Sequence, residues 1–237
     1  MKDKPFRFKQ FSIAQDRSCL KVGTDAVLLG ALVDVSESKR ILDIGTGTGV
    51  IAIMLAQKSE AIIDAIDIDS PSCEQARDNA RNSPWPNRIQ VIHKALQEFA
   101  LESNTLYDTI VSNPPYFEEQ AGANTDARTI ARHTCELSHS DLLDGIAKLM
   151  HQDGTCWLIL PAQEEFVFND LAQKKGLYCI SCINIVTREG KPAKRIVLSL
   201  RKKETPLMRA SLVIQLDQSH FTPEYIKLTE DFYLGLK

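Results

Sequence analysis

The chain has 237 residues, of which 43% are hydrophobic and 25% charged, and its formal net charge is −3 at pH 7. This balance is typical of a soluble globular protein with one substantial core, and its slightly acidic sum argues against a protein that coats nucleic acid non-specifically. The first eleven residues are basic with no apolar stretch behind them, so neither a signal peptide nor a membrane span is predicted, and a cytoplasmic location is expected.

The predicted elements begin with the segment "KVGTDAVLLGALV", which is typical of a turn followed by a helix with Thr24 or Asp25 as its N-cap. From residue 40 onward, short apolar runs alternate with helical stretches, as in a parallel sheet covered by helices on both faces. Seven strands are predicted, at 40–44, 61–66, 89–93, 107–112, 155–160, 177–186 and 195–201. Helices are predicted at about 50–57, 71–82, 137–150 and 164–174.

The last two predicted strands are separated only by the short segment "TREGKPAK". A parallel connection needs a crossover of a dozen or more residues, so an antiparallel hairpin is expected at the C-terminal end of the sheet. Beyond it, 211–216 suggests an extra strand and 222–234 a terminal helix. We therefore predict a single domain with an N-terminal extension (1–38), a Rossmann-like core (39–203) and a C-terminal addition (204–237).

Six cysteines are scattered along the chain, a pattern that favours reduced thiols over a disulfide framework. Cys179 and Cys182 form a C-x-x-C in an apolar run, where strand alternation would place them on opposite faces. No second pair of ligands accompanies them, so no metal site is predicted.

A glycine-rich turn follows the first predicted strand in "ILDIGTGTGV". Gly45, Gly47 and Gly49 allow the backbone to turn tightly and to approach a ligand closely. The dinucleotide fingerprint would require its third glycine at Val50, and the acid Asp43 would sit badly beside phosphates. A phosphate-free cationic ligand, S-adenosylmethionine, fits better because carboxylates attract its sulfonium and ammonium groups.

A second acid, Asp67, ends the next strand about twenty residues beyond the glycines, where it can accept hydrogen bonds from both ribose hydroxyls. Ile68 is predicted to pack on the adenine face, and Thr24 is a further candidate for cofactor contact. S-adenosylmethionine is therefore the predicted cofactor.

The fourth predicted strand ends in "NPPYF", from Asn113 to Phe117. Successive prolines fix the backbone φ angle and lack an N–H, so the amide of Asn113 is presented from a rigid corner. In this order, the three strand ends resemble the class I, Rossmann-like S-adenosylmethionine-dependent methyltransferases and their [D/N/S]-P-P-[Y/F/W] motif. The resemblance implies that the side-chain oxygen of Asn113 and the carbonyl of Pro114 accept hydrogen bonds from a target NH₂ group, while Tyr116 stacks on it.

The tetrapeptide alone leaves open adenine in DNA or RNA, guanine N2 and protein glutamine. The flanking segments "KVGTDAVLLGA", "NSPW", "ARH" and "LTEDFYL" resemble the bacterial tRNA1(Val) adenine N6-methyltransferases, nearly from end to end. This resemblance implies adenine 37 of the valine tRNA as target, without membrane or metal. Candidate RNA contacts are Phe117, Arg128, Arg132, His133 and Lys194.

One position departs from many methyltransferases, which place an acid after the third strand to hold the cofactor's adenine amino group. Here Ala95 stands there, so recognition is expected to pass to nearby backbone groups or to Gln97. The alternatives are a glutamine N5-methyltransferase of release factors, N6-adenine methylation of another RNA or of DNA, and a cofactor-binding module without activity. A monomer is expected.

Overall fold

A computed structural model describes residues 4–18, 21–114 and 137–235. The strands are β1 (Phe6–Arg7), β2 (Ser12–Ile13), β3 (Arg40–Ile44), β4 (Ile62–Asp67), β5 (Ile89–His93), β6 (Tyr107–Ser112), β7 (Met150–Pro161), β8 (Tyr178–Arg188), β9 (Arg195–Arg201) and β10 (Met208–Gln215). The α-helices are α1 (Thr24–Leu32), α2 (Val50–Lys58), α3 (Ser70–Arg81), α4 (Leu96–Glu102), α5 (His139–Leu149), α6 (Glu165–Lys174) and α7 (Pro223–Thr229). A short 3-10 helix spans Ala162–Glu164.

The central sheet has the strand order β10-β8-β9-β7-β6-β3-β4-β5. Within the described chain, β9 runs antiparallel to both of its neighbours and the other pairs are parallel. The predicted α/β class and the antiparallel hairpin are thus confirmed. The predicted number of seven strands is wrong, because the extra strand β10 joins the sheet as an eighth member by pairing with β8.

Helices cover the sheet on both faces, and each face has its own apolar core. On one face, α1 and α2 contribute Val27 and Leu28 together with Ile53 and Leu55. On the other face, α4, α5 and α6 bury residues such as Phe99, Leu142 and Phe168. The strands between them are apolar on both sides, as the near-continuous hydrophobic runs of the sequence require.

The segments near the two chain ends pack against each other. The backbone N–H of Lys9 donates to the carbonyl of Phe232 at 2.8 Å. The ring of Phe8 stacks on that of Phe11 with centroids 4.6 Å apart and on that of Tyr233 with centroids 6.0 Å apart. An aromatic cluster thus joins the N-terminal segment to the segment that follows α7.

Three element predictions need correction. The N-cap of α1 is Gly23, in extended conformation, and not Thr24 or Asp25; the Asp25 carboxylate instead pairs with Arg195 at 2.9 Å. Helix α4 was not predicted, because it is only two turns long and follows β5 after two residues. The terminal helix ends at Thr229 and not at residue 234.

The two cysteines of the C-x-x-C lie on β8, and the prediction that they point to opposite faces is wrong. The ladder between β8 and β9 shifts register between Cys179 and Ser181, which marks an irregularity of the β-bulge kind. As a result Cys179 packs against the same apolar core that contains Cys182. Burial raises the pKa of both thiols, to about 12 and about 11 respectively, so neither is activated as a nucleophile.

Candidate active site

Three predicted functional residues lie at one edge of the sheet, where the parallel strands end. Asp43 precedes the last residue of β3, Asp67 ends β4, and Asn113 follows β6. Ile44 is in register with both Ile66 and Ser112, so the three strand ends are neighbours. The Ser112 hydroxyl also donates to the Ile44 carbonyl at 2.9 Å, in a buried hydrogen bond. This edge is where open α/β sheets bind ligands.

The glycine turn between β3 and α2 has the backbone conformation that glycine permits. Gly45, Gly47 and Gly49 have φ angles of 72°, 55° and 80°. The N–H groups of Gly45 and Thr46 donate to the Ile66 carbonyl at 2.9 and 3.0 Å, which fixes the turn against β4. A Cβ on Gly49 would lie 3.2 Å from the Ala76 Cβ, so this glycine also allows the close approach of α3.

Asp43 is fully buried, and its carboxylate is only partly satisfied. Oδ2 accepts a 2.6 Å hydrogen bond from the Thr46 hydroxyl, whereas Oδ1 has no hydrogen-bond partner among the described residues. Burial is the main reason that its pKa is raised to about 7; nearby Asp67 raises it further, and the Thr46 hydroxyl opposes the shift. A buried acceptor without a donor is costly, and a cation placed beside it would remove that cost.

Asp67 is held by backbone amides on both sides. Oδ2 accepts from the Gly47 N–H at 2.8 Å and Oδ1 accepts from the Asp69 N–H at 2.9 Å. Burial raises its pKa, while these two hydrogen bonds oppose the rise. Ile68, next in sequence, has a side chain that is 53% exposed, and an apolar side chain beside an oriented acid can contact a planar ring.

A fourth component was not predicted: residues 14–18 run across α3 beside the glycine turn. The Asn79 side chain exchanges two hydrogen bonds of 2.9 Å with the backbone of Ala14, and Gln75 accepts from the Arg17 N–H at 3.1 Å. The Ser18 hydroxyl lies 3.2 Å from that of Ser72. The signal in the sequence was a helix with Gln75 and Asn79 one turn apart, because polar side chains that share a buried helix face need partners.

Some of the other predicted site residues are described by the structure, and the rest lie outside the described ranges. Asn113 is half-buried and Pro114 buried at the end of β6, whereas Thr24, Gln97 and Lys194 have exposed side chains. Ala95 is the N-cap of α4, which places Gln97 in the first turn of that helix. Tyr116, Phe117, Arg128, Arg132 and His133 lie outside the described residues.

Two further findings concern metals and membranes. Across 4–18, 21–114 and 137–235, no cluster of three or more His, Cys, Asp or Glu side chains is arranged to hold a metal ion. None of the helices in these ranges is both long and apolar enough to cross a membrane.

The fold and this arrangement of strand ends define a class I methyltransferase, an enzyme class that takes its methyl group from S-adenosylmethionine. A family model described as "Methyltransferase small domain" matches residues 18–148. A protein of Trichodesmium erythraeum named tRNA1(Val) (adenine(37)-N6)-methyltransferase is 46% identical over 97% of each chain. A protein of the same name from Bacteroides fragilis is 41% identical over 98% of each chain. The chain belongs to the family of these tRNA1(Val) (adenine(37)-N6)-methyltransferases, and its residues 18–148 form the part that matches the methyltransferase small domain.

Solved structures support the fold alone, because their sequences are distant. A protein from Agrobacterium tumefaciens, described as a predicted O-methyltransferase, superposes with a TM-score of 0.68 at 23% identity, covering 88% of this chain and 96% of its own. The ribosomal protein L11 methylase of Lactobacillus delbrueckii gives a TM-score of 0.54 at 17% identity, covering 76% and 77%. These structures confirm the predicted Rossmann-like methyltransferase fold. The predicted cofactor, S-adenosylmethionine, is confirmed by the family match.

Proposed function

We propose that the enzyme transfers a methyl group from S-adenosylmethionine to the N6 amine of adenine 37 in the anticodon loop of tRNA1(Val). The observation that carries this proposal is the Asn113-Pro114 corner, rigid and half-buried, directly beside the acid-and-glycine edge of β3. The names of the full-length relatives support the choice of substrate.

The residues present fit the cofactor. S-adenosylmethionine supplies a methyl group activated by a positively charged sulfonium. The orphaned Oδ1 of Asp43 would accept from the cofactor's ammonium group, and the glycine turn leaves room for its chain. Asp67 keeps lone pairs for the ribose hydroxyls, and Ile68 offers an exposed apolar face to the adenine. With Ala95 in place of an acid, the adenine amino group would be recognised by the backbone near α4 or by Gln97, and Thr24 is a further proposed contact.

On the target side, the chain needs no strong general base. The lone pair of an exocyclic amine is delocalised into the ring, so the nitrogen is a weak nucleophile. The amide oxygen of Asn113 and the carbonyl of Pro114 would accept from its two hydrogens and favour the geometry in which the lone pair points at the methyl group. Tyr116 is proposed to stack on the base and hold it in line.

The RNA backbone is proposed to meet positive charge on either side of this pocket. The candidates after the catalytic motif are Arg128 and Arg132, with His133 alongside, while Phe117 is proposed to contact the unstacked base. On the hairpin between β8 and β9, Lys194 is exposed at the same edge of the sheet as Asn113. Phosphate contacts of this kind position the substrate and weaken as salt rises.

We further propose that the chain acts as a monomer, with 1–38, 39–203 and 204–237 forming one unit. A second subunit is not required for the site, because its described residues come from one sheet edge and from residues 14–18 beside it. A cytoplasmic location follows from the proposed tRNA substrate.

The test is to incubate the protein with labelled S-adenosylmethionine and unmodified tRNA1(Val) transcript, and then to digest the RNA and identify the labelled nucleoside. We expect N6-methyladenosine from the normal transcript and no label when adenine 37 is replaced by guanine. Label on a release-factor glutamine, or none on adenine, would overturn the proposal. Asn113→Ala should lose most turnover and keep cofactor binding, measured by calorimetry, because Asn113 is assigned to the target nitrogen.

A further inference from the structure

A large aromatic side chain is exposed in the first turn of α6. Phe166 is 83% exposed and the adjacent Val167 is 65% exposed, whereas Phe168 is buried in the core below. Exposure of an aromatic ring to this degree costs hydrophobic free energy, since burying it would remove a large apolar area from water.

The sheet register places this turn beside the catalytic corner. Ser112 of β6 is in register with Leu158 of β7, so Asn113 follows at the level of Ile159. Strand β7 continues to Pro161, and the 3-10 helix Ala162–Glu164 leads directly into Phe166. Neighbouring strands are about 4.8 Å apart, so the strand that leads into this turn lies directly beside the strand that leads into Asn113.

The charges around this turn suit a polyanion. The Ala162 N–H donates to the Lys194 carbonyl at 3.1 Å, which ties the turn to the hairpin that carries Arg188, Lys191 and Lys194. The two acidic residues that precede Phe166 in the chain are both paired with other side chains. A Glu164 carboxylate oxygen lies 3.2 Å from the His139 imidazole, and one of Glu165 lies 2.6 Å from the Arg209 guanidinium.

We propose that Phe166 is a stacking platform for an unpaired base of the RNA loop that flanks the target adenine. This inference rests on the proposed function and adds a substrate contact to it. Exposed aromatic rings beside basic side chains are the usual means by which proteins hold single-stranded nucleic acid, because every base has a face that can stack. An adenine can enter the pocket only if its neighbours are unstacked from it, and a ring at this position would hold one of those neighbours.

The test compares Phe166→Ala, Phe166→Leu and Phe166→Tyr in steady-state methylation of tRNA1(Val) transcript and of its isolated anticodon stem-loop. Loss of stacking should raise the KM for both RNAs roughly five- to a hundredfold in the Ala and Leu variants. Phe166→Tyr should stay within about twofold of the wild type, since it retains the ring. The cofactor Kd, measured without RNA, should not change.

Leu101→Ala is the matched control. Leu101 is 77% exposed near the end of α4, so it presents a similar apolar surface on a different helix. Its KM for RNA should equal that of the wild type. Salt separates stacking from charge: the ratio of KM between Phe166→Ala and wild type should be constant from low to high salt, whereas Lys194→Ala should flatten the salt dependence itself.

Three results would overturn the inference. One is a KM for RNA that is unchanged in Phe166→Ala, and another is a wild-type KM in Phe166→Leu. The third is a wild-type dimer that Phe166→Ala converts to a monomer without any change in RNA affinity. These differ from failure of the proposed function, in which the wild-type enzyme itself would not methylate adenine 37.

Discussion

The hydroxyl of Ser112 donates a buried 2.9 Å hydrogen bond to the carbonyl oxygen of Ile44. This bond joins the last residue of β6, which is followed by Asn113, to the last residue of β3, which follows Asp43. The residue assigned to the target nitrogen and the residue assigned to the cofactor are therefore fixed relative to each other. Methyl transfer depends on such alignment, because an error of about 1 Å can cost on the order of a hundredfold in rate.

Ser112→Ala should lower kcat roughly tenfold and leave the cofactor Kd within about twofold, because it loosens the alignment without removing a cofactor contact. Ser38→Ala is the control, since the Ser38 hydroxyl lies 2.7 Å from that of Thr109 and links the same two strands near their other ends. Both variants should lose about 1 kcal/mol of unfolding free energy in urea titrations. Equal kcat values in the two variants would contradict the alignment role.

Asp43 should make cofactor affinity depend on pH. With its pKa near 7 in the free protein, the carboxyl is largely protonated at pH 6 and ionised at pH 8, so the Kd for S-adenosylmethionine should fall as the pH rises between these values. In Asp43→Asn the affinity should be weaker and this pH dependence lost. Calorimetry from pH 6 to 8 measures both effects. A wild-type Kd that does not change over this range would contradict the assignment of Asp43 to the cofactor's ammonium group.

The same group should affect stability with the opposite sign. The folded protein holds this proton up to about pH 7, whereas an unfolded aspartate loses it near pH 4. Below pH 4, Asp43 is protonated in both the folded and the unfolded state, so it does not affect the free energy of unfolding. As the pH rises above 4, this free energy should decrease, by up to roughly 4 kcal/mol past pH 7. Asp43→Asn should remove this decline, which cofactor-free urea unfolding at pH 5 and pH 8 would reveal.

Gly49→Ala should impair both folding and cofactor binding. Its φ of 80° is unfavourable for alanine, and the new Cβ would meet Ala76 at 3.2 Å and push α3 away from the glycine turn. Gly176→Ala, with a φ of 73° and open space around the added carbon, isolates the backbone cost. Gly176→Ala should lose about 1 to 2 kcal/mol of stability in thermal unfolding, and Gly49→Ala should lose more because the contact with Ala76 adds to the backbone cost. Only Gly49→Ala should weaken cofactor affinity, by at least about tenfold; matching affinities would refute the role of the close approach.

Lys58 should stabilise the protein more at alkaline pH. Its ammonium group donates to the carbonyls of Gly30, Ala31 and Val33 at the end of α1, and burial lowers its pKa to about 8. Between pH 8 and the ordinary value of 10.5, the unfolded chain binds this proton and the folded chain does not, so stability should rise with pH in that window. Lys58→Met should abolish this rise and destabilise the protein by roughly 1 to 3 kcal/mol near neutral pH. Urea unfolding at pH 7.5 and 10 is the measurement.

The parts of the fold that were predicted correctly depend on local patterns. Asp43 and Asp67 stand at or next to the ends of apolar runs, so their approach to one edge follows from parallel pairing alone. The antiparallel hairpin was predictable because the segment before Arg195 is too short for a crossover. These features need no knowledge of distant contacts.

The parts that were missed depend on pairing between distant residues or on irregular backbone. The position of β10 beside β8 is set by tertiary contacts that no local pattern specifies. Because of the register shift at Cys179, its side chain lies on the same face of β8 as Cys182, whereas simple strand alternation predicts opposite faces. The contacts of Asn79 with Ala14 connect residues 65 positions apart, so the sequence could reveal a buried amide in need of partners but not which partners it would find.

The contact between Lys9 and Phe232 has a consequence for biosynthesis. Residues 14–18 lie against the cofactor edge, and the strands just before them are packed on the aromatic cluster that includes Tyr233. Ribosomes deliver the N-terminal segment well before that cluster, because synthesis runs from the N-terminus. The sheet can form while translation continues, but the N-terminal segment has to wait for about two hundred further residues before it can dock. Cofactor capture by a nascent chain should therefore begin only after the segment that contains Phe232 and Tyr233 has been synthesised.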